Sequence, residues 1–319
     1  MQRAQMTKRT REMLSKCGFF VSEEYGLRGV SFDVICRRDN LLLVVKVLAN
    51  IDGFSKANAS EMKTLARLLK GAPVVLGERC GAGELEEGII YLRHDVPILT
   101  FGTMKEYIEE GVPPFIFAAP GGLYARIDPE AIRKARQERG LSLGALADIA
   151  GVSRKAIQMY ELGMMSATLP VVDRLEKYLG EPIVTALNPF GPGERAEKAG
   201  AAHEEEAEPD RFRAGVFEKL AGLGYIVVPT RRSPFDAISE HNVKATIILT
   251  GVGAANKACL QKARVMANIS RITEKECVLF LDRRISRENI GGTPVISRDE
   301  LRRISDEDKI VRLIQERRK

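Results

Sequence analysis

Cysteine and histidine are scarce in this 319-residue chain, and the few present stand apart. Cys17, Cys36, Cys80, Cys259 and Cys277 form no CxxC pair, and only His94, His203 and His241 accompany them. That pattern argues against a zinc site. An odd number of scattered thiols fits reduced, mostly buried side chains in a cytoplasmic protein. The histidines have no serine or cysteine nucleophile context, so no hydrolase triad is expected. No apolar run approaches the roughly 20 residues that cross a bilayer. The opening stretch MQRAQMTKRTREML also lacks the apolar centre of a signal peptide. A soluble, intracellular protein that contacts no membrane is the expectation. Gly251-Val252-Gly253 has no third glycine at dinucleotide-binding spacing, so no cofactor is expected either.

What is present is ample apolar content, 45%, and a length that holds two or three domains. The net charge of +6 leans toward a polyanionic partner but looks thinly spread. Residues 128–180 carry eight Lys and Arg against seven Asp and Glu. Any case for nucleic acid must therefore come from geometry.

The geometry lies in residues 141–163, LSLGALADIAGVSRKAIQMYELG. Leu146 and Ala147 fall on the inner face of one helix, Gly151 suits a left-handed turn, and Val152 plugs the corner. Ile157 and Tyr160 line a second helix, with Ser153 at its N-cap. Arg154, Lys155, Gln158 and Met159 then project outward or from its leading end. Asp128-Pro129 opens a preceding helix, and one over 170–179 closes the group at Gly180. Residues 128–180 resemble the Cro/repressor class of helix-turn-helix domains. The resemblance implies that the second helix enters the major groove of double-stranded DNA, with Ser153, Arg154, Lys155, Gln158 and Met159 as the DNA-binding set. Leu143 and Gly144 depart from that class, in which a leading Gln can bind a phosphate.

The flanks on either side share an order. Residues 17–21, 31–35 and 41–46 parallel 223–227, 234–238 and 245–250, followed by helices at 57–69 and 256–267. Buried strands 73–76 and 278–281 and the strands at 96–99 and 293–296 complete the match. This reads as a duplicated α/β domain with a covered central sheet. Between the helical domain and the second copy, 188–210 is rich in Pro, Gly, Ala and Glu and is expected to be a flexible acidic linker.

An Asp near the second strand and a Lys in the third resemble the nuclease fold of Holliday-junction resolvases and type II restriction enzymes. In that fold two carboxylates hold Mg²⁺ against the scissile phosphate while a lysine helps activate water. Asp33 takes the first acid and Lys46 the lysine, while Glu12 matches the extra acid of resolvases. The second acid falls on Val44, which cannot bind a hard cation. The second copy keeps Asp236 but has Ile248 or its neighbours where the acid belongs, and no lysine at the strand end. Glu12, Asp33 and Lys46 are thus expected to be vestigial, with Asp33 and Asp236 capping backbone amides.

Together the chain resembles a family of archaeal helix-turn-helix transcriptional regulators. The expected fold class is α/β and all-α multidomain, with a duplicated nuclease-like α/β domain flanking a Cro/repressor-type helix-turn-helix bundle. Its expected domains are 1–120, 121–187, the linker 188–210, and 211–319. The expected function is a non-catalytic, sequence-specific DNA-binding regulator without metal or cofactor, acting as a homodimer. The alternatives are a Mg²⁺-dependent structure-specific endonuclease, and a bridging factor whose helical domain contacts the transcription machinery.

Overall fold

The computed structural model describes residues 3–24, 29–191 and 210–318. The first α/β segment runs α1 (Arg3–Lys16), β1 (Phe20–Val21), β2 (Val34–Arg38), β3 (Leu41–Asn50), α2 (Lys56–Leu69), β4 (Ala72–Cys80), β5 (Gly83–Glu84), β6 (Ile89–Arg93), β7 (Val96–Leu99) and α3 (Phe101–Lys105). A hairpin of β8 (Ile116–Ala119) and β9 (Gly122–Ala125) leads to α4 (Pro129–Glu138), α5 (Leu143–Ala150), α6 (Arg154–Glu161), β10 (Ala167–Thr168) and α7 (Leu169–Leu179). The last segment runs α8 (Arg211–Gly222), β11 (Tyr225–Pro229), β12 (Ala237–His241), β13 (Ile247–Gly253), α9 (Lys257–Thr273), β14 (Glu276–Leu281), β15 (Asn289–Ile290), β16 (Thr293–Ser297), α10 (Arg298–Arg303) and α11 (Glu307–Arg317).

These elements sort into two compact units. One contains residues 3–47, 55–73 and the described chain from 210 onward; the other contains 48–54 and 74–191. In the first, β1, β2 and β3 form an antiparallel ladder with Ile35 opposite Val44. The second copy makes a six-stranded sheet ordered β11-β12-β13-β14-β16-β15, in which β13, β14 and β16 are parallel. Strands β13 and β14 are buried almost throughout, as parallel strands covered on both faces must be.

The duplication holds down to single hydrogen bonds. The Asp33 amide donates to Val45 O and the Asp236 amide to Thr250 O, each at 2.8 Å. That register pairs Val44 with Leu249 and Lys46 with Gly251, so the second-acid position of the second copy is Leu249, one residue beyond Ile248. Within this unit the copies also meet reciprocally. Glu61 on α2 accepts from the Arg232 amide (2.7 Å) and the Ser233 hydroxyl (2.8 Å), in the loop after β11. Asn268 on α9 accepts from the Glu23 amide (2.9 Å), in the loop after β1. Each copy's long helix thus reaches the segment beyond the other's first strand, an isologous arrangement inside one chain.

In the second unit the sheet order is β4-β7-β6-β8-β9-β10, with β5 on the edge of β4. Pro120-Gly121-Gly122 makes the tight β8–β9 turn, with both glycines at positive φ. Strand β10 joins the helical domain to that hairpin by pairing Ala167 with Ala125. At the start of the expected linker, Phe190 lies 5.4 Å from the Tyr107 ring, and Asn188 Oδ1 accepts from the Phe190 amide. Residues 192–209 of the expected linker lie outside the described residues.

Candidate nucleic-acid interface

Helix α5 starts on Ser142, whose hydroxyl accepts from the Ala145 amide, and stops at Gly151 in the left-handed region (φ 67°). The chain turns there because the Gly151 and Val152 amides close on Asp148 O and Ala147 O. Arg174 from α7 donates to Ala150 O at 2.8 Å and satisfies a carbonyl the helix end leaves open. Ser153 then caps α6 through the Ala156 amide at 3.1 Å.

Leu146, Ala147, Ile157 and Tyr160 are buried in one core with Ile132, Leu175 and Leu179. Burying the Ile157–Tyr160 face turns the other side of α6 to solvent. Ser153, Arg154, Lys155 and Gln158 are exposed, while Met159 is half-buried. Among the described residues neither Arg154 nor Lys155 has a carboxylate partner. Leu143 packs against the core, so the class's phosphate-binding Gln position is filled here by a structural side chain.

Glu161, at the end of α6, is a further residue of the site that the sequence did not single out. It is buried (7% exposed) and accepts from two N–H groups along one guanidinium edge of Arg136, Nε at 2.6 Å and Nη2 at 3.1 Å. Arg133 donates to the Glu161 carbonyl at 2.6 Å. This bidentate pair fixes the angle of α6 against α4. The available signal was two arginines three apart, facing a lone acid near the end of the recognition helix.

The nuclease-like positions are occupied differently. Asp33 Oδ2 accepts from the Val47 amide at 2.8 Å, and its carboxylate also faces Arg3 (2.5 Å) and Lys46 (3.5 Å). Lys46 donates to Val30 O at 2.7 Å and is itself buried. Burial pulls this ammonium below the ordinary lysine range, against the upward pull of Asp33. Val44 is fully buried. Glu12 is not brought to this cluster. It is an exposed side chain paired with Lys8 at 3.9 Å, about 13 Å up α1 from Arg3 at 1.5 Å per residue.

In the second copy Asp236 Oδ2 accepts from the Val252 amide at 2.6 Å. Its cation comes from Lys262, which pairs with Asp236 and donates to Val252 O at 3.2 Å. Gly251, at the lysine position, has no room for a side chain: a Cβ would sit 2.6 Å from Met266 Sδ and 3.0 Å from Leu279 Cδ1. Sequence reasoning missed Lys262 because it lies on α9, outside the strand spacing that defines the motif. Among the described residues no three His, Cys, Asp or Glu side chains assemble as a metal-ligand set. Nor is any described helix long and apolar enough to cross a membrane.

The fold and this exposed helix define a helix-turn-helix DNA-binding regulator joined to nuclease-like domains. A PD-(D/E)XK superfamily domain matches residues 3–114 and a helix-turn-helix domain matches residues 132–185. Relatives provisionally named HTH-type transcriptional regulatory proteins match nearly end to end. The one from Methanococcoides burtonii is 37% identical over 97% of this chain and 95% of its own. Those from Halorubrum lacusprofundi and Halobacterium salinarum are 36% and 34% identical, over 98% of their lengths. The chain belongs to this family of archaeal HTH-type transcriptional regulatory proteins. No solved structure matches it.

Proposed function

We propose that the protein is a sequence-specific, double-stranded DNA-binding transcription regulator without catalytic activity, working in the cytoplasm as a homodimer. The observation that carries this reading is the leading turn of α6. There Arg154 and Lys155 stand exposed and unpaired among the described residues, on a helix whose opposite face is locked by Ile157 and Tyr160. Such helices enter the major groove N-terminus first. The arginine fork matches guanine O6 and N7, and Gln158 one turn on suits adenine. Met159 offers an apolar edge to a thymine methyl, while Ser153 serves mainly as the cap.

Catalysis is disfavoured by the site itself. A buried valine replaces the second carboxylate, and the remaining one is engaged by an amide and two cations. The two α/β copies already meet within one chain through Glu61 and Asn268, so pairing of chains is assigned to other surfaces. Pairing through the helical domains sets half-sites of an inverted repeat about 34 Å apart.

Genomic footprinting with the full chain tests the proposal. Discrete inverted-repeat sites are the expected result. Broad or absent protection moves the reading to a bridging factor that contacts the transcription machinery. Incubation with Mg²⁺ and duplex or branched DNA should leave both intact. Cleavage that disappears in Asp33→Ala would restore the endonuclease reading.

A further inference from the structure

The positive charge is not spread thinly. Residues 211–319 hold 22 of the 49 Lys and Arg but only 13 of the 43 Asp and Glu, a net of +9; the rest of the chain is therefore net −3. The basic third of the chain is the degenerate second copy, not the helix-turn-helix.

Much of that charge gathers on one face. Beyond the carboxyl end of β14, the loop 282–288 (DRRISRE) folds back on the start of α9. Ile285 pins it there, packing with Ala255 against the cluster that contains Cys259 and Ala263. The Asp282 amide donates to Gly253 O and Arg283 to Ala255 O, both at 3.3 Å. Arg283, Arg284 and Arg287 are exposed on this loop. Lys257 and Arg264, two turns apart on α9, are exposed beside it. The Arg264 stem lies against Gly291, where a Cβ would come within 2.5 Å of its Cγ, so it is held at the β15–β16 turn, just past the loop.

Among the described residues none of these five cations pairs with a carboxylate. Two of the three neighbouring acids are committed, and Asp282 alone has no cation partner among the described residues. Asp236 holds Lys262, Glu288 faces Arg317, and Asp282 keeps one oxygen buried. Five unpaired cations within one loop and two helical turns, against a single unpaired acid, Asp282, make a surface for a dense array of negative charge.

We propose that the loop 282–288 and the first two turns of α9 form a second, sequence-independent contact for the phosphate backbone of duplex DNA. The helix-turn-helix supplies near-balanced charge and reads bases, whereas this face supplies affinity and its salt dependence. The inference rests on the DNA-binding reading proposed above, but the two can fail separately.

The test uses the full chain and two short duplexes, one carrying a footprinted operator and one of random sequence, titrated by fluorescence anisotropy between 50 and 200 mM KCl. In K257A/R284A/R287A, removal of three phosphate contacts should flatten the salt dependence by about 2.7 in log–log slope. Wild type then loses about 40-fold more affinity than the variant across that range. The ratio of operator to random affinity should stay unchanged. The reverse pattern is expected of R154A, which collapses the ratio and leaves most of the slope. Circular dichroism and unfolding midpoints matching wild type establish that the triple variant is folded. K257E/R284E/R287E provides a second arm, expected to weaken random-duplex binding further still. A triple-alanine variant with the wild-type slope overturns the proposal while leaving the operator reading intact; the face would then serve an acidic protein partner. Absence of duplex binding by wild type overturns both.

Discussion

Lys262 reaches from α9 to the carboxylate of Asp236 and does for it what Lys46, on a strand, does for Asp33. The two copies thus keep the same arrangement, a carboxylate bonded to a strand amide beside an ammonium, buried at Lys46 and half-buried at Lys262, from lysines at unrelated places in the chain. A catalytic lysine must be aimed at a scissile phosphate. A structural counter-ion needs only to arrive. The substitution of one source for the other fits a scaffold maintained for stability.

Removing one partner should expose that role. In Asp33→Ala, Lys46 is left buried without its carboxylate, and the global unfolding free energy from urea denaturation should drop by about 3 kcal/mol. Asp33→Ala combined with Lys46→Met should recover most of the loss. A double variant no more stable than the single one would show that the pair is not the source.

Arg154→Ala should reduce affinity for the operator by about 1–3 kcal/mol and barely change affinity for a random duplex. Lys155, if it touches phosphate, should instead lower both affinities together. Equal binding by wild type and both variants would remove α6 from the DNA interface.

Glu161→Gln leaves Arg136 facing a neutral amide at the α4–α6 contact. Thermal melting should register a loss of about 2–4 kcal/mol, and Glu161→Gln with Arg136→Met should be less unstable than the single change. A melting temperature equal to wild type would mean that the apolar core alone sets the angle of α6.

Acid stability should depend on Glu300. Burial raises its pKa, but the Arg317 guanidinium, 2.6 Å away, and the Ser297 amide and hydroxyl outweigh that and hold it at about 2. The folded pKa lies below the ordinary value of 4.5, so its contribution is present above pH 4.5 and is lost as pH falls toward 2. Urea midpoints of wild type should therefore fall more steeply across that window than those of Glu300→Gln. Parallel curves would contradict it.

The thiols should divide by burial. Cys36 is fully buried, and desolvation pushes its thiol well above the ordinary range. Cys17 and Cys80 are only half-buried. A disulfide reagent at neutral pH should modify those two first and reach Cys36, Cys259 and Cys277 only on unfolding. Rapid labelling of all five in the native protein would refute this.

Legibility from sequence followed how local each feature is. The helix-turn-helix could be read because Ala147, Gly151, Ser153 and Ile157 meet one another within about a dozen residues, so their steric demands appear as a fixed spacing. The duplicated strand order was visible for the same reason, through short apolar runs and the two Phe-Asp steps. Nothing local reveals that Lys262 serves Asp236 or that Glu161 clasps Arg136, since each pair joins elements 25 or 26 residues apart. The placement of Glu12 needed the helix itself: nine residues past Arg3 is too far along α1 to reach Asp33. The packing of Phe190 on Tyr107 joins residues 83 apart, so nothing local in the surrounding Pro- and Gly-rich stretch announces it.

The reciprocal contact between the two copies also sets a timetable. Glu61 and the Arg232 amide it holds are 171 residues apart, with the helical domain between them in sequence. At about 5–20 residues per second, a ribosome needs roughly 10–30 s to make that interval. During it the inward faces of α2 and of the loop after β1 have no partner. The helical core, assembled from neighbours within residues 125–183, can close as soon as it emerges. The contact face of the N-terminal copy must instead wait for the last hundred residues, and a chain halted after α7 would present Glu61 and the Glu23 amide without their partners.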